Sequence, residues 1–318
     1  VLKASGDAVV EGSGRVDSTS TKGQGGHIEV LGHRVAVTDK AVLDTSGATG
    51  GGTVLVGGDY QGKSVAVPNA QMTYLGPNAE LRADATDQGH GGKVIVWADN
   101  AARAFGKISA RGGEQGGNGG FVETSGKNHL DVGRLSVDTS AVQGSAGTWL
   151  LDPTNVYIAA DLATANAAGM AGSDTSIDTT GPTLFQTGGT PTDSLLLKAT
   201  LETALASNNV EVNTSSPGGG FGNITVSSPV TWASAHTLKL NAASSITVNN
   251  SVSGLNGTLS LQSGGSISNN SGAGLMHVDK LEARASSGIT LQGLNQISNL
   301  AANSVGGSVL VEAAAPGG

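Results

Sequence analysis

Gly51-Gly52-Thr53-Val54-Leu55-Val56 joins a glycine pair to a short alternating strand, and the same construction recurs on both sides of it. Its counterparts are Gly25-Gly26-His27-Ile28-Glu29-Val30, Gly91-Gly92-Lys93-Val94-Ile95-Val96 and Gly119-Gly120-Phe121-Val122-Glu123-Thr124, with a degenerate fifth copy at Ala146-Gly147-Thr148-Trp149-Leu150-Leu151. Counted at the second residue of each pair, the spacings are 26, 40, 28 and 27 residues, so one unit repeats and one copy carries an insertion. A fixed period in this range marks a repeat architecture.

Each period reads as three short strands. After Val56, Gly57-Gly58 makes a turn, residues 63–67 alternate as a second strand, and residues 80–84 form a third. Equivalent closing strands occur at 41–46, 106–111 and 133–138. Alternation of Val, Ile and Leu with polar residues turns one face inward. A strand of about five residues cannot bury that face alone. Stacking it on its counterparts in neighbouring coils, about 4.8 Å away, solves the problem. The sequence therefore predicts an all-β parallel solenoid with three short strands per coil.

Composition agrees with a narrow tube. Fifty glycines in 318 residues are about twice ordinary usage, aromatics are 3% and charged residues 13%. Small and β-branched side chains can fill stacked rows while glycine turns the corners. A hydrophobic fraction of 37% opposes disorder, and eight prolines without a strict Gly-X-Y period oppose collagen. A net charge of −8 with only 17 Lys and Arg opposes a nucleic-acid partner. No apolar run approaches the roughly 18 residues of a membrane helix, so no membrane span is expected. Neither a starting Met nor a signal peptide is present, and the chain reads as an internal piece of a longer protein. The absence of cysteine suits an exported solenoid, whose chain must pass unlinked through a narrow pore.

Three regions follow along the chain. Residues 1–151 form a first block, whose 40-residue spacing contains the extra stretch 69–78, read as an enlarged loop or an additional strand. Residues 152–212 form an insertion: loop-like to about Ser194, with a Gly, Thr and Pro-rich part at 179–192, then a short helix near 200–208. Leu197, Leu201 and Leu205 share one helical face, Thr200 is placed to cap the start, and Asn208 and Asn209 suit a left-handed exit. Residues 213–318 resume short strands between Asn, Ser and Gly clusters, where asparagines can form ladders between coils. With 152–210 set aside, roughly ten coils remain, about 50 Å of stacked strands.

The stretches 51–62, 91–100, 108–113, 116–126 and 147–153, continued by 199–205 and 224–232, resemble filamentous-haemagglutinin-type exoproteins of bacterial two-partner secretion. The resemblance covers most of the chain. It implies a right-handed parallel β-helix with an extra-helical insertion, export through an outer-membrane secretion partner, a secreted or bacterial cell-surface location, and a role in adhesion or biofilm. The Asn-Pro-Asn type of motif found in that family's secretion domain is missing, which points to the shaft or repeat region.

Several motifs suggest chemistry, and each has a structural explanation. Gly57-Gly58-Asp59-Tyr60-Gln61-Gly62-Lys63-Ser64 matches the Walker A pattern, but a phosphate loop needs a helix directly after the lysine, and Val65-Ala66-Val67-Pro68 reads as β. Asp84, Asp87 and Asp99, with Asp39 and Asp44, offer carboxylates, although glycosidase chemistry needs two of them about 5 to 10 Å apart in a cleft. Of His27, His33, His90, His129, His236 and His277, only the first two are close in sequence, and solvated strand histidines explain them better than a metal. Trp97, Trp149 and Trp232 are expected to pack under loops rather than stack on sugars. Asn213, Asn223, Asn249, Asn256 and Asn269 head Asn-x-Ser/Thr triplets, as chance provides in so Asn- and Ser-rich a chain. The sequence thus predicts no catalytic, cofactor or metal site, and a structural and adhesive segment whose ligand is a polysaccharide or a host surface. The alternative is a polysaccharide-binding or polysaccharide-degrading β-helix protein.

Overall fold

The computed structural model describes residues 1–171, 185, 192–214 and 220–314. Those residues are mostly β, in long parallel sheets, and they fall into two units that part between Asp152 and Pro153.

In the first unit each pass of the chain adds one strand to each of three parallel sheets. The first sheet stacks Leu2–Lys3, His27–Leu31, Thr53–Val56, Lys93–Ala98, Phe121–Gly126 and Thr148–Leu151. The second stacks Asp7–Val10, Arg34–Val37, Met72–Leu75, Ala101–Ala104 and His129–Asp131. Arg15–Asp17, Val42–Asp44, Glu80–Arg82, Lys107–Ser109 and Ser136–Asp138 make the third. Side chains of like character meet across each register. Val54, Val94, Val122 and Trp149 form one buried row, and Leu43, Leu81, Ile108 and Val137 form another. Each such aliphatic side chain, fully buried, stabilises the stack by about 1.5 to 3 kcal/mol.

The glycine pairs are required by space, not by an unusual φ, because none of the eight paired glycines has a positive φ. A Cβ on the first glycine would collide with a backbone carbonyl: that of Thr45 for Gly25, Ala83 for Gly51, Ala110 for Gly91 and Thr139 for Gly119. The second glycine packs on the second glycine of the coil before it, so a Cβ on Gly52, Gly92, Gly120 or Gly147 would strike the carbonyl of Gly26, Gly52, Gly92 or Gly120. The same backbone is hydrogen-bonded within the coil. Gly52 N–H donates to the Thr45 carbonyl at 2.8 Å, Gly92 to Ala83 at 2.7 Å and Gly120 to Ala110 at 2.7 Å. The degenerate copy is explained by the same geometry. The third sheet ends at Ser136–Asp138, so Ala146 does not meet the carbonyl that crowds the first glycine elsewhere.

The enlarged coil differs from the sequence reading. Residues 63–67 are not a strand; the second-sheet strand of that coil is Met72–Leu75, inside the stretch read as the extra element. Alternation alone favoured 63–67, but register selects Thr73 and Leu75, which stack between Val35 and Val37 on one side and Ala102 and Ala104 on the other. The inserted residues therefore lie before Met72, at 57–71, and they leave the sheet.

The second unit repeats with longer and less regular strands. One ladder runs through Asn155–Ala159, Asp193–Leu197, Ile224–Val226, Ile246–Val248, Ser266–Asn269 and Gly288–Ser304, the first two joined in register. A second joins Asn209–Asn213, Thr237–Ala242, Val252–Ser263, Met276–Ala285 and Gly288–Ser304. Leu238, Leu259 and Leu281 make its buried row. Two strands therefore occupy parts of the 152–194 stretch read as loop, because Val156 and Ile158 have Ile224 and Val226 to stack on. Of the 179–192 part, only Phe185 and Thr192 belong to the described residues.

The helix near 200–208 runs Lys198–Leu205 and buries Leu201, Ala204 and Leu205. Leu197 belongs to the preceding strand, pairing with Ala159, and caps the helix without a side-chain bond. Thr200 sits buried in the first turn and is not the cap. Asn208 does not take a left-handed φ; its side-chain amide instead donates to the Ala204 carbonyl at 2.6 Å and closes the helix end. A second helix, Leu162–Ala167, starts at Asp161, whose carboxylate accepts from Thr164 N–H at 2.8 Å.

Candidate functional site

The strands of the first sheet alternate, so Leu55, Ile95 and Trp97 point away from the buried valine row, yet all three are buried. The 57–71 loop covers them, with Val67 and Phe121 completing the cluster. Gly58 and Gly62 lie so close to the Trp97 ring that a Cβ on either would collide with it. Trp97 Nε1 donates to Asp99 at 3.0 Å, and Tyr60 meets Phe121 edge to face at 5.7 Å. The Walker-like segment is this loop. Asp59 caps a 3-10 turn at Tyr60–Gly62, no helix follows Lys63, and Lys63 Nζ donates to the Gln61 side chain at 2.6 Å. The glycines serve a tryptophan instead of a phosphate.

Beneath the loop lies a polar cluster that sequence reasoning missed. Glu123 follows Ile95 in register and is fully buried. Gln61 N–H donates to both Glu123 carboxylate oxygens, at 3.2 and 3.1 Å, and Gln61 Nε2 donates to Asp152 at 3.1 Å. Gln61 takes φ 52° to reach both, in the left-handed region that favours glycine. Burial pushes the Glu123 carboxyl up to about 7; the Gln61 N–H and Ser125 act against that shift, and the charges of Asp152 and Asp59 add to it. Beside it, Lys93 pairs with Asp59 at 2.8 Å and helps to hold that carboxyl below its usual range, against the effect of burial. Glu123 and Asp152 are both bonded by Gln61, and both are closed off from solvent.

The carboxylates singled out in the sequence are scattered and each is engaged. Asp84 is buried and accepts from Arg111 N–H at 2.7 Å, the Arg111 guanidinium at 2.9 Å and Ser109 Oγ at 3.0 Å. Asp44 takes Ser46 N–H at 2.9 Å and Arg15 at 3.0 Å. Asp39 holds a turn at φ 54° and accepts from Gly12 N–H at 2.9 Å, while Asp87 accepts from Gln115 at 2.6 Å. Asp44 and Asp84 share an open groove of about 580 Å3 on the outer face of the third sheet with Glu80, Arg82, Lys107 and Arg111. Within it Arg82 pairs with Glu80 and Arg111 with Asp84.

The histidines do not converge, and among the described residues no three metal-ligating side chains do. His27 meets Glu29 on the same strand at 2.7 Å. His90 Nδ1 accepts from Asn118 N–H at 2.9 Å. His129 departs from the solvated reading: it is buried within the second sheet, beside Ala101. The tryptophans divide. Trp97 packs under the 57–71 loop, and Trp232 lies over Gly254 and Gly257 at the bulge of Val252–Ser263, its Nε1 donating to the His236 carbonyl. Trp149 instead points inward, and its Nε1 donates to the buried Thr124 hydroxyl at 2.9 Å. Of the triplet asparagines, Asn213 accepts from Asn241 of the next coil at 3.3 Å and Asn269 is bound to two carbonyls, so both amides serve the stack.

No family model matches the chain, and no curated protein matches its sequence. What fold and site define together is a mostly-β repeat protein of parallel sheets. Among the described residues no helix is long and apolar enough to cross a membrane.

Proposed function

We propose that this chain is a structural and adhesive segment, built as a right-handed parallel β-helix, of a large secreted bacterial exoprotein similar to filamentous haemagglutinins. The observation that carries the reading is the in-register return of three parallel strands, with glycine columns at one corner. Such a stack extends by adding coils and presents rows of side chains at about 4.8 Å intervals. Right-handed crossovers are the rule for parallel strands joined in this way. The protein would leave the cell through an outer-membrane partner of the two-partner type, act at the cell surface or in the biofilm matrix, and bind a polysaccharide or a host surface without turning it over. The engagement of Asp44, Asp84 and Asp99 by neighbouring groups, and the burial of Glu123 and Asp152, favour binding over hydrolysis.

The test is retention of the purified chain on immobilised bacterial polysaccharides and host-cell surfaces, with the soluble glycan products analysed in parallel. Retention with no released oligosaccharide is expected. Product release would replace the adhesive reading with the polysaccharide-degrading one, and no retention on any surface would remove both.

A further inference from the structure

Glu123 is the buried titratable group that the adhesive reading leaves without a role. An outward-facing strand residue would ordinarily be solvated, yet this one is fully covered, and what covers it is a loop attached through Gln61. The attachment is unusual in two ways. Gln61 is one of only two non-glycine residues with positive φ among the described residues, so its backbone is held where it would not rest by itself. It also bridges two acids, its N–H to Glu123 and its side-chain amide to Asp152.

We propose that the Gln61–Glu123–Asp152 contact is a proton-operated clasp, which holds the 57–71 loop on the first sheet while Glu123 is protonated and loosens it as the proton is lost.

Burial beneath the loop sets the direction, and the charges facing Glu123 add to it. From the loop come Asp59 and, through its bond to the Gln61 side chain, Lys63; from the neighbouring strand comes Lys93, engaged by Asp59; and beyond the last strand of the first sheet stands Asp152. Asp152 and Asp59 both act to disfavour an ionised Glu123, and the Gln61 N–H, which favours it, is outweighed by burial. Proton linkage fixes the sign. The closed carboxyl titrates at about 7 and an opened, solvated one near 4.5, so closure takes up a proton. The advantage of the closed loop is complete below the lower value, declines as pH rises between the two, and is constant above the upper. Between pH 6 and pH 8 the opening equilibrium should rise about tenfold. Opening bares Leu55, Ile95 and Trp97, an apolar row on the outside of the sheet.

Hydrogen exchange of peptides spanning 57–71, measured at pH 6, 7 and 8 and corrected for the intrinsic rate, reads the opening equilibrium directly. Wild type should open about tenfold more at pH 8 than at pH 6, and Glu123→Gln should stay level across the series. Asp152→Asn, which removes the neighbouring negative charge, should lessen the rise. Protection of the Gly92 and Gly120 amides in the same digests reports whether each variant keeps its stack. A level wild-type profile, or an unchanged rise in Glu123→Gln, overturns the clasp. If Glu123→Gln loses the stack, Asp152→Asn decides: a lessened rise supports the clasp and an unchanged one overturns it.

Discussion

The two units reach the same parallel stacking with different shares of backbone and side-chain corners. In the first, strands are two to six residues long, and the chain turns where paired glycines let one backbone rest directly on the next. In the second, strands reach 10, 12 and 17 residues, the row positions Leu238, Leu259 and Leu281 return every 21 and 22 residues, and the pairs Gly264-Gly265 and Gly306-Gly307 alternate with Ala243-Ser244 and Ser286-Ser287 at one corner instead of forming an unbroken glycine column. Other turns there rely on side chains: Asn223 accepts from Ser245 N–H, Asn269 is bound to the Gly274 and Gln292 carbonyls, and Asn295 accepts from Met276 N–H. A corner made of backbone against backbone tolerates no Cβ. A corner made of side-chain amides tolerates change around it but depends on each amide.

This contrast can be broken or sharpened by substitution. The largest effect is expected at a glycine column: Gly92→Ala forces a Cβ into the Gly52 carbonyl and should cost the first unit about 3 kcal/mol or more, read as a lower urea midpoint or as lost exchange protection in that unit. Next is Asp84→Ala, which leaves Arg111 N–H and Ser109 Oγ without their buried acceptor and should cost about 2 kcal/mol by the same measurement. In the second unit Asn208→Ala removes the side-chain bond that ends the Lys198–Leu205 helix, and about 1 kcal/mol should be lost from protection there. Smallest is Gly272→Ala, where a Cβ would meet only the Asn270 side chain at 3.6 Å; stability should stay within about 0.5 kcal/mol. Similar losses for Gly92→Ala and Gly272→Ala would mean that the columns are not special.

Much of the first unit is legible in the sequence. The glycine-pair spacing located the strands of the first and third sheets, since a backbone collision that recurs each coil leaves a period in the sequence. The second sheet was less legible. Lys63-Ser64-Val65-Ala66-Val67 alternates as well as Met72-Thr73-Tyr74-Leu75, and only stacking on Arg34–Val37 and Ala101–Ala104 separates them. The clasp was not legible at all. Gln61 and Glu123 are 62 residues apart, Gln61 and Asp152 are 91, and neither acid carries a local mark of burial. Trp149 escaped for a related reason: its inward aim follows from register with Val122, and its polar edge is satisfied by a threonine 25 residues earlier.

The in-register stack can be tested by cross-linking, because the chain has no cysteine of its own. Thr53 and Lys93 are register partners on adjacent strands of the first sheet, spaced as parallel neighbours about 4.8 Å apart, a separation that a disulfide can bridge. Under mild oxidation the double variant T53C/K93C should form its disulfide readily, while T53C/I95C, two positions out of register, should not. A disulfide that forms faster in T53C/I95C, or equally in both, would contradict the stacking on which the whole account rests.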